Sequence, residues 1–201
     1  MNHPTKLPLL AITAPLPDLG GFASLLQHGV LFAVDHPVPA QNFLLSIPGF
    51  TEDYIEHAVQ TVFINGVAAD SLNRDLPAGS IIALSAAMPG LAGAIFRRQG
   101  MHGSLRSRPT VPGVPPAKEC GFITLKLFNS IASDRVLDLL THGVTIHGKA
   151  VHDFAIRQAN LFHAPTVLVV DGQQTSYEEL LRVTSASPRI RMQAMVSTTS
   201  V

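Results

Sequence analysis

Apolar and polar positions change rhythm repeatedly along the chain. Gly29–Asp35 (GVLFAVD) is a short, nearly unbroken apolar run of the length a buried strand has. PVPAQNFLLSI, from residue 37, predicts a helix that begins after its prolines. TEDYIEHAVQ (Thr51–Gln60) also reads as helix, with Thr51 placed to cap it and Asp53 and Glu56 suited to its N-terminal half. Next comes QTVFINGVAAD (Gln60–Asp70), in which two apolar runs flank Asn65-Gly66. That dipeptide predicts a tight hairpin, because both central residues of the favoured turn need positive φ. LPAGSIIALSAA then reads as a turn and a third strand, with Ile81, Ile82 and Leu84 in its buried run.

The stretch GSIIALSAAMPGLAGAIFRR, Gly79 to Arg98, holds no charge until its final arginine pair. It has the length of a membrane span. Its content argues otherwise: Pro89-Gly90 sits near the centre, and Gly79, Ser80, Ser85 and Gly93 dilute the rest. The hairpin just upstream makes a strand of GSIIALSA, and MPGLAGA is expected to be a tight small-residue turn. No membrane association is expected.

Residues 29–85 therefore run strand, helix, strand, Asn-Gly turn, strand, strand. VFINGVAAD…LPAGSIIAL resembles the β-grasp fold of ubiquitin-like sulfur carriers, where a strand, an Asn-Gly-type turn and an L-x-x-G-D-x-I/V strand follow in this order. The resemblance covers about a third of the chain and implies a β-grasp-like fold for the N-terminal half. It does not imply carrier chemistry. Those carriers end in a free Gly-Gly tail, whereas here MPGLAGAIFRRQG occupies that place and the chain runs on, so no terminal acyl adenylate can form. The chain otherwise resembles bacterial sequences, a likeness that implies no activity.

Residues 97–121 are rich in Gly, Pro and Arg and read as a connector. Beyond them GFITLKLF alternates like a half-buried strand. SDRVLDLLTHG is a short helix closed by Gly143, and VTIHG a short strand or turn. KAVHDFAIRQANLF sets Val151, Phe154, Ala155 and Phe162 near one helical face. TVLVVDG is a strand, TSYEELLRV a helix with Thr175 and Glu178 as capping box, and RIRMQAMV an edge strand. The expected class is α/β or α+β. Its parts are an extended surface arm (1–21), a β-grasp-like half (22–96), the basic connector (97–121) and a small α/β half (122–201); the two halves could pack as one domain. One echo stands out: HGV at His28 and HGV at His142 each open a strand–helix–strand passage, leading to TVFING and TVLVVDG.

Composition narrows the class further. With 46% apolar residues in 201, a sizeable core can be buried. Charged residues are only 14%, which predicts an apolar surface and a homo-oligomer. Net charge is zero, so no general pull toward nucleic acid arises. The charges are unevenly placed, however. Residues 1–96 carry two basic side chains against seven acidic ones; residues 97–126 carry six basic against one acidic. The lone Cys120 excludes an intramolecular disulfide and fits the cytoplasm. The N-terminus, broken by Pro4, Pro8, Pro15 and Pro17, matches a signal peptide poorly.

Three groups are candidates for chemistry. Arg97, Arg98, Arg106 and Arg108 surround Gly100 and Gly103; guanidinium forks suit phosphate or carboxylate, and glycine lets an anion approach the backbone. P-loop spacing is absent, and so are the interleaved aromatics that nucleic acid would call for. His142, His147 and His152 fall at five-residue steps that do not stack on one helix face, so a zinc site there depends on folding. Cys120, beside Lys118 and Glu119, could be a nucleophile only with a base or positive charge held against it.

The expected function is a non-catalytic binding or assembly protein that uses the Arg/Gly-rich segment for a small anionic ligand or a partner's acidic face, with no cofactor. The alternative is a small enzyme with a histidine site between the halves, in which zinc could take part.

Overall fold

The structure is a computed structural model that describes residues 7–88, 90–98, 100 and 120–197, apart from the side chain of Ala92. Strand β1 (Leu9–Ala14), helix α1 (Leu16–Gly20) and a 3-10 helix (Gly21–Gln27) open the chain. Then come β2 (Val30–Val34), β3 (Val38–Pro39), α2 (Ala40–Leu45), α3 (Glu52–His57), β4 (Thr61–Ile64), β5 (Val67–Ala68), β6 (Asp75–Leu76), β7 (Ile81–Ser85) and α4 (Gly90–Phe96). After residues 101–119 follow β8 (Gly121–Phe128), α5 (Asn129–His142), β9 (Val144–His147), α6 (Gly148–Arg157) and a second 3-10 helix (Ala159–Phe162). The last elements are β10 (Val167–Val170), β11 (Gln173–Gln174), α7 (Tyr177–Ala186) and β12 (Arg189–Val196). The chain is mixed α/β, and no helix among the described residues is long and apolar enough to cross a membrane.

Two compact units divide it: Met1–Val30 with Arg135–Val201, and Leu31–Asp134. In the first, the strand order is β11-β10-β1-β12-β9. β1 pairs parallel to β12 and antiparallel to β10. Residues 9–14, read as part of a surface arm, are extended but lie inside this sheet. Alternation explains their place: Leu10, Ile12 and Ala14 are buried. β12, read as an edge strand, runs between β1 and β9. Phe22, Phe154 and Phe162 meet with ring centroids 5.3 to 5.9 Å apart and anchor the core behind the sheet.

In the second unit the order is β2-β8-β7-β4-β5, with β3 and β6 as a separate pair. Ile82 and Leu84 of β7, Val62 and Ile64 of β4, and Leu125 and Leu127 of β8 share the buried face. β8, grouped in sequence with the C-terminal half, pairs parallel to β7 in this unit. Asn65 and Gly66 take φ of 51° and 79°, the turn that the dipeptide predicts. MPGLAGA does not form a turn alone: α4 starts at Gly90. The small residues serve close approach, since a Cβ on Gly93 would collide with the Met88 carbonyl.

Both units share a topology. β8, β7, β4 and β5 pair parallel, antiparallel, antiparallel; so do β12, β1, β10 and β11. The HGV echo follows suit. Gly29 and Gly143 have positive φ before β2 and β9, and Asp171-Gly172 repeats the Asn65-Gly66 turn with φ of 48° and 86°. β1, from the start of the chain, holds in one unit the place that β7 holds in the other.

Candidate functional site

α4 delivers the arginine pair. Phe96 at its end packs on Phe63 of β4, with ring centroids 5.3 Å apart, and the chain then turns toward the end of α3. Arg98 N–H donates to the Gln60 carbonyl at 2.7 Å. Its Nη1 donates to the carbonyls of Ile55 (3.1 Å) and Val59 (3.3 Å), which lie at and just beyond the last turn of α3. A cation here meets the negative end of the helix dipole and fills acceptors that the helix leaves open. Half-burial pushes the Arg98 guanidinium below its ordinary value, and the carboxylates of Asp70 and Glu56 oppose that shift. Arg98 thus pins the end of α4 to α3. Arg97 is exposed beside it. Arg106 and Arg108 lie outside the described residues.

Both arginines line a cleft of about 610 Å3 within the second unit. Its walls also carry Glu52, Glu56 and His57 of α3, Gln41 of α2, Gln60, and Asp70 to Leu72. Two buried atoms in these walls, Gln60 Oε1 and Arg98 Nε, have no hydrogen-bond partner. His57 Nδ1 lies 2.9 Å from the Asp53 carbonyl and 3.1 Å from its carboxylate. These contacts, with Glu56, hold His57 above its ordinary value. The cap that the sequence predicts for α3 is present: Thr51 Oγ1 accepts from Tyr54 N–H at 3.1 Å. The sequence does not disclose that Glu52 lines the same cleft as the two arginines.

The three histidines of the five-residue series do not converge, and among the described residues no three His, Cys, Asp or Glu side chains form a metal-binding group. His142 ends α5, with Nδ1 2.8 Å from the Asp138 carbonyl. His152 packs between α6 and α7, its Nδ1 3.0 Å from the Leu181 carbonyl and 3.2 Å from Thr184 Oγ1. His147 lines a cleft of about 680 Å3 in the first unit, with His28, Lys149 and Asp153. His28 Nε2 sits 2.8 Å from Arg157 Nη2 as acceptor, and Lys149 pairs with Asp153 at 2.7 Å. The pairing with Lys149 lowers Asp153 from its ordinary value. His28 escaped sequence reading as a site residue, although the HGV echo marked it. Cys120 is an exposed free thiol.

A third hollow, of about 540 Å3, lies on the second unit and is walled by Phe63, Ile81, Ala83, Met88 and Phe128. Ser85 and Asn129 also line it, and Ser85 Oγ accepts from Asn129 Nδ2 at 2.8 Å. No protein-family model matches the chain, and neither a curated protein nor a solved structure matches it.

Proposed function

We propose that the chain is a non-catalytic binding protein whose ligand site is the charged cleft of the second unit, with Arg97 as the residue that meets an anionic group. The observation that carries this is the placement of Arg97 and Arg98 on one cleft with two unsatisfied buried polar atoms, Gln60 Oε1 and Arg98 Nε. Buried polar atoms are costly unless something pairs with them. The test is calorimetric titration of the whole protein with phosphate, citrate and zwitterions of similar size at low salt. Saturable binding that Arg97→Ala weakens supports the reading; binding that ignores Arg97→Ala, or none, refutes it.

Self-association belongs to the same proposal. It is supported by the low charged fraction, 14%, and by exposed apolar side chains such as Leu91, Met195 and Val196, at 71%, 51% and 42%. Light scattering that reports a monomer at high concentration refutes this part. A cytoplasmic location is supported by the single unpaired cysteine. The β-grasp likeness of residues 29–96 is supported by the Asn65-Gly66 hairpin and by the mixed sheet to which it belongs.

One observation favours a second reading, a small enzyme with a histidine site: His28 and His147 share a cleft with Lys149 and Asp153. Stoichiometric zinc or iron in protein purified without a histidine tag would favour it.

A further inference from the structure

The third hollow lies where two parallel strands end. β7 closes at Ser85 and β8 at Phe128, and these two residues stand opposite each other in the parallel register. In open α/β sheets the space beyond the carboxyl ends of parallel strands is where ligands are held. Alternation builds the floor. Val62, Ile64, Ile82 and Leu84 are buried in the core, so Phe63, Ile81 and Ala83 stand on the opposite face and line the hollow. Phe96 packs against the Phe63 ring and steadies that wall, while Ile81 is left 41% exposed. Met88 and Phe128 add to the walls of a space of about 540 Å3, the size of a small-molecule site. No described residue lines both this hollow and the charged cleft.

Asn129 supplies the polar end. It joins β8 to α5, and its φ is 54°. The other non-glycine residues with positive φ among those described, Asn65 and Asp171, lie in tight hairpin turns that require it. At Asn129 the left-handed backbone costs free energy with no hairpin to demand it, and residues held in this way cluster at binding sites. Its carboxamide reaches the end of β7, where Nδ2 donates to Ser85 Oγ at 2.8 Å. After that bond the Ser85 hydroxyl keeps a hydrogen to donate and the Asn129 carboxamide an oxygen that accepts. Both groups are uncharged. We infer that the hollow binds a small uncharged molecule with an aromatic body and one hydrogen-bonding head, the ring among Phe63, Ile81 and Phe128 and the head against Ser85 and Asn129. Aromatic walls and a thioether favour a ring over a flexible chain. A hydroxyl head both donates and accepts, which matches the pair.

Chemical-shift titration of the isotope-labelled full-length protein compares benzyl alcohol with toluene, which lacks the head, and with benzoate, whose head is charged. The alcohol is expected to bind about tenfold more tightly than either. Asn129→Gly leaves positive φ accessible and removes the carboxamide, so it should hold the thermal midpoint while cutting affinity for the alcohol about tenfold, to that of toluene. Ala83→Leu and Ile81→Trp fill the hollow from two positions and should abolish binding; the midpoint of each unliganded variant shows that it has folded. Toluene or benzoate binding as tightly as the alcohol overturns the inference. So does an affinity that Asn129→Gly or a folded hollow-filling variant leaves unchanged, and so does the absence of a saturable shift with benzyl alcohol.

Discussion

Arg98 Nη1 reaches two backbone carbonyls, and few other side chains could reach both while keeping charge. In sequence it was one of four arginines in a basic segment; in the fold it is a pin and its neighbour Arg97 is the exposed member. Arg98→Ala should destabilise the protein by about 2 kcal/mol, because two buried acceptors lose a charged donor, and Arg98→Lys should restore only part. Urea denaturation measures both. Glycines give a sharper contrast. A Cβ on Gly148 would run into the Ser187 carbonyl and lie 2.7 Å from that of Thr184, so Gly148→Ala should cost roughly 2 kcal/mol or more as the backbone shifts. Gly20, at φ −58° with nothing within 4 Å of an added Cβ, should gain about 0.5 kcal/mol from the same change. Equal midpoints for the two variants would contradict this account.

Helix ends show where local chemistry was read well and where it slipped by one position. Thr51 caps α3 as its sequence suggests. In α7 the cap is Ser176, which accepts from Glu179 N–H at 3.2 Å, rather than Thr175. The S-x-x-E pattern and the T-x-x-E pattern overlap there, and only the backbone chooses between them. α5 starts at Asn129, four residues ahead of the SDRVLDLLTHG stretch read as helix, because β8 runs directly into it. Charge pairs within helices set the pH response of these elements. Arg182 bonds to Glu179 at 2.7 and 2.5 Å and lowers its carboxyl; Lys149 does so for Asp153, and backbone and Ser176 hydrogen bonds do so for Glu178. Carboxylates held below their ordinary values of 3.8 and 4.5 stabilise the fold above those values, and the contribution is lost as pH falls through the lowered ones. His57 has the opposite sign: it is held above 6.5, so its contribution is complete below that pH and fades as pH rises past it. All are exposed or partly exposed, so the urea midpoint should decline gently below about pH 4.5 at low salt and change less at high salt. A midpoint that climbs as pH falls from 5 toward 3 would contradict the assignment.

At the scale of the molecule, the first unit is assembled from both ends of the chain. β1 lies between β12 and β10, so removing residues 1–15 takes a strand from the middle of that sheet and should abolish the unit's cooperative unfolding. Differential scanning calorimetry of the truncated chain checks this; an unchanged transition would show that β1 is dispensable. The strands themselves were legible because alternation, short apolar runs and turn dipeptides are local signals. The Asn65-Gly66 hairpin needed nothing beyond its own four residues. In the uncharged stretch the strand of GSIIALSA was legible, whereas Gly90–Phe96 is a helix where a turn was expected. Strand neighbours were not legible. The N-terminal run between prolines looks like an arm until its alternate residues Leu10, Ile12 and Ala14 find a core made by residues near the other end. Likewise the arginine pair could be seen, but not that Glu52, Glu56 and Asp70 line the same cleft, since these come from a helix and a loop dozens of residues away. By itself, then, the sequence determined the local elements, the turn chemistry and the mixed α/β class, all of which depend on neighbouring residues. Only the tertiary structure decided the pairing order, the make-up of the two units and which residues share the cleft, because contacts between distant segments are chosen by burial summed over the whole fold.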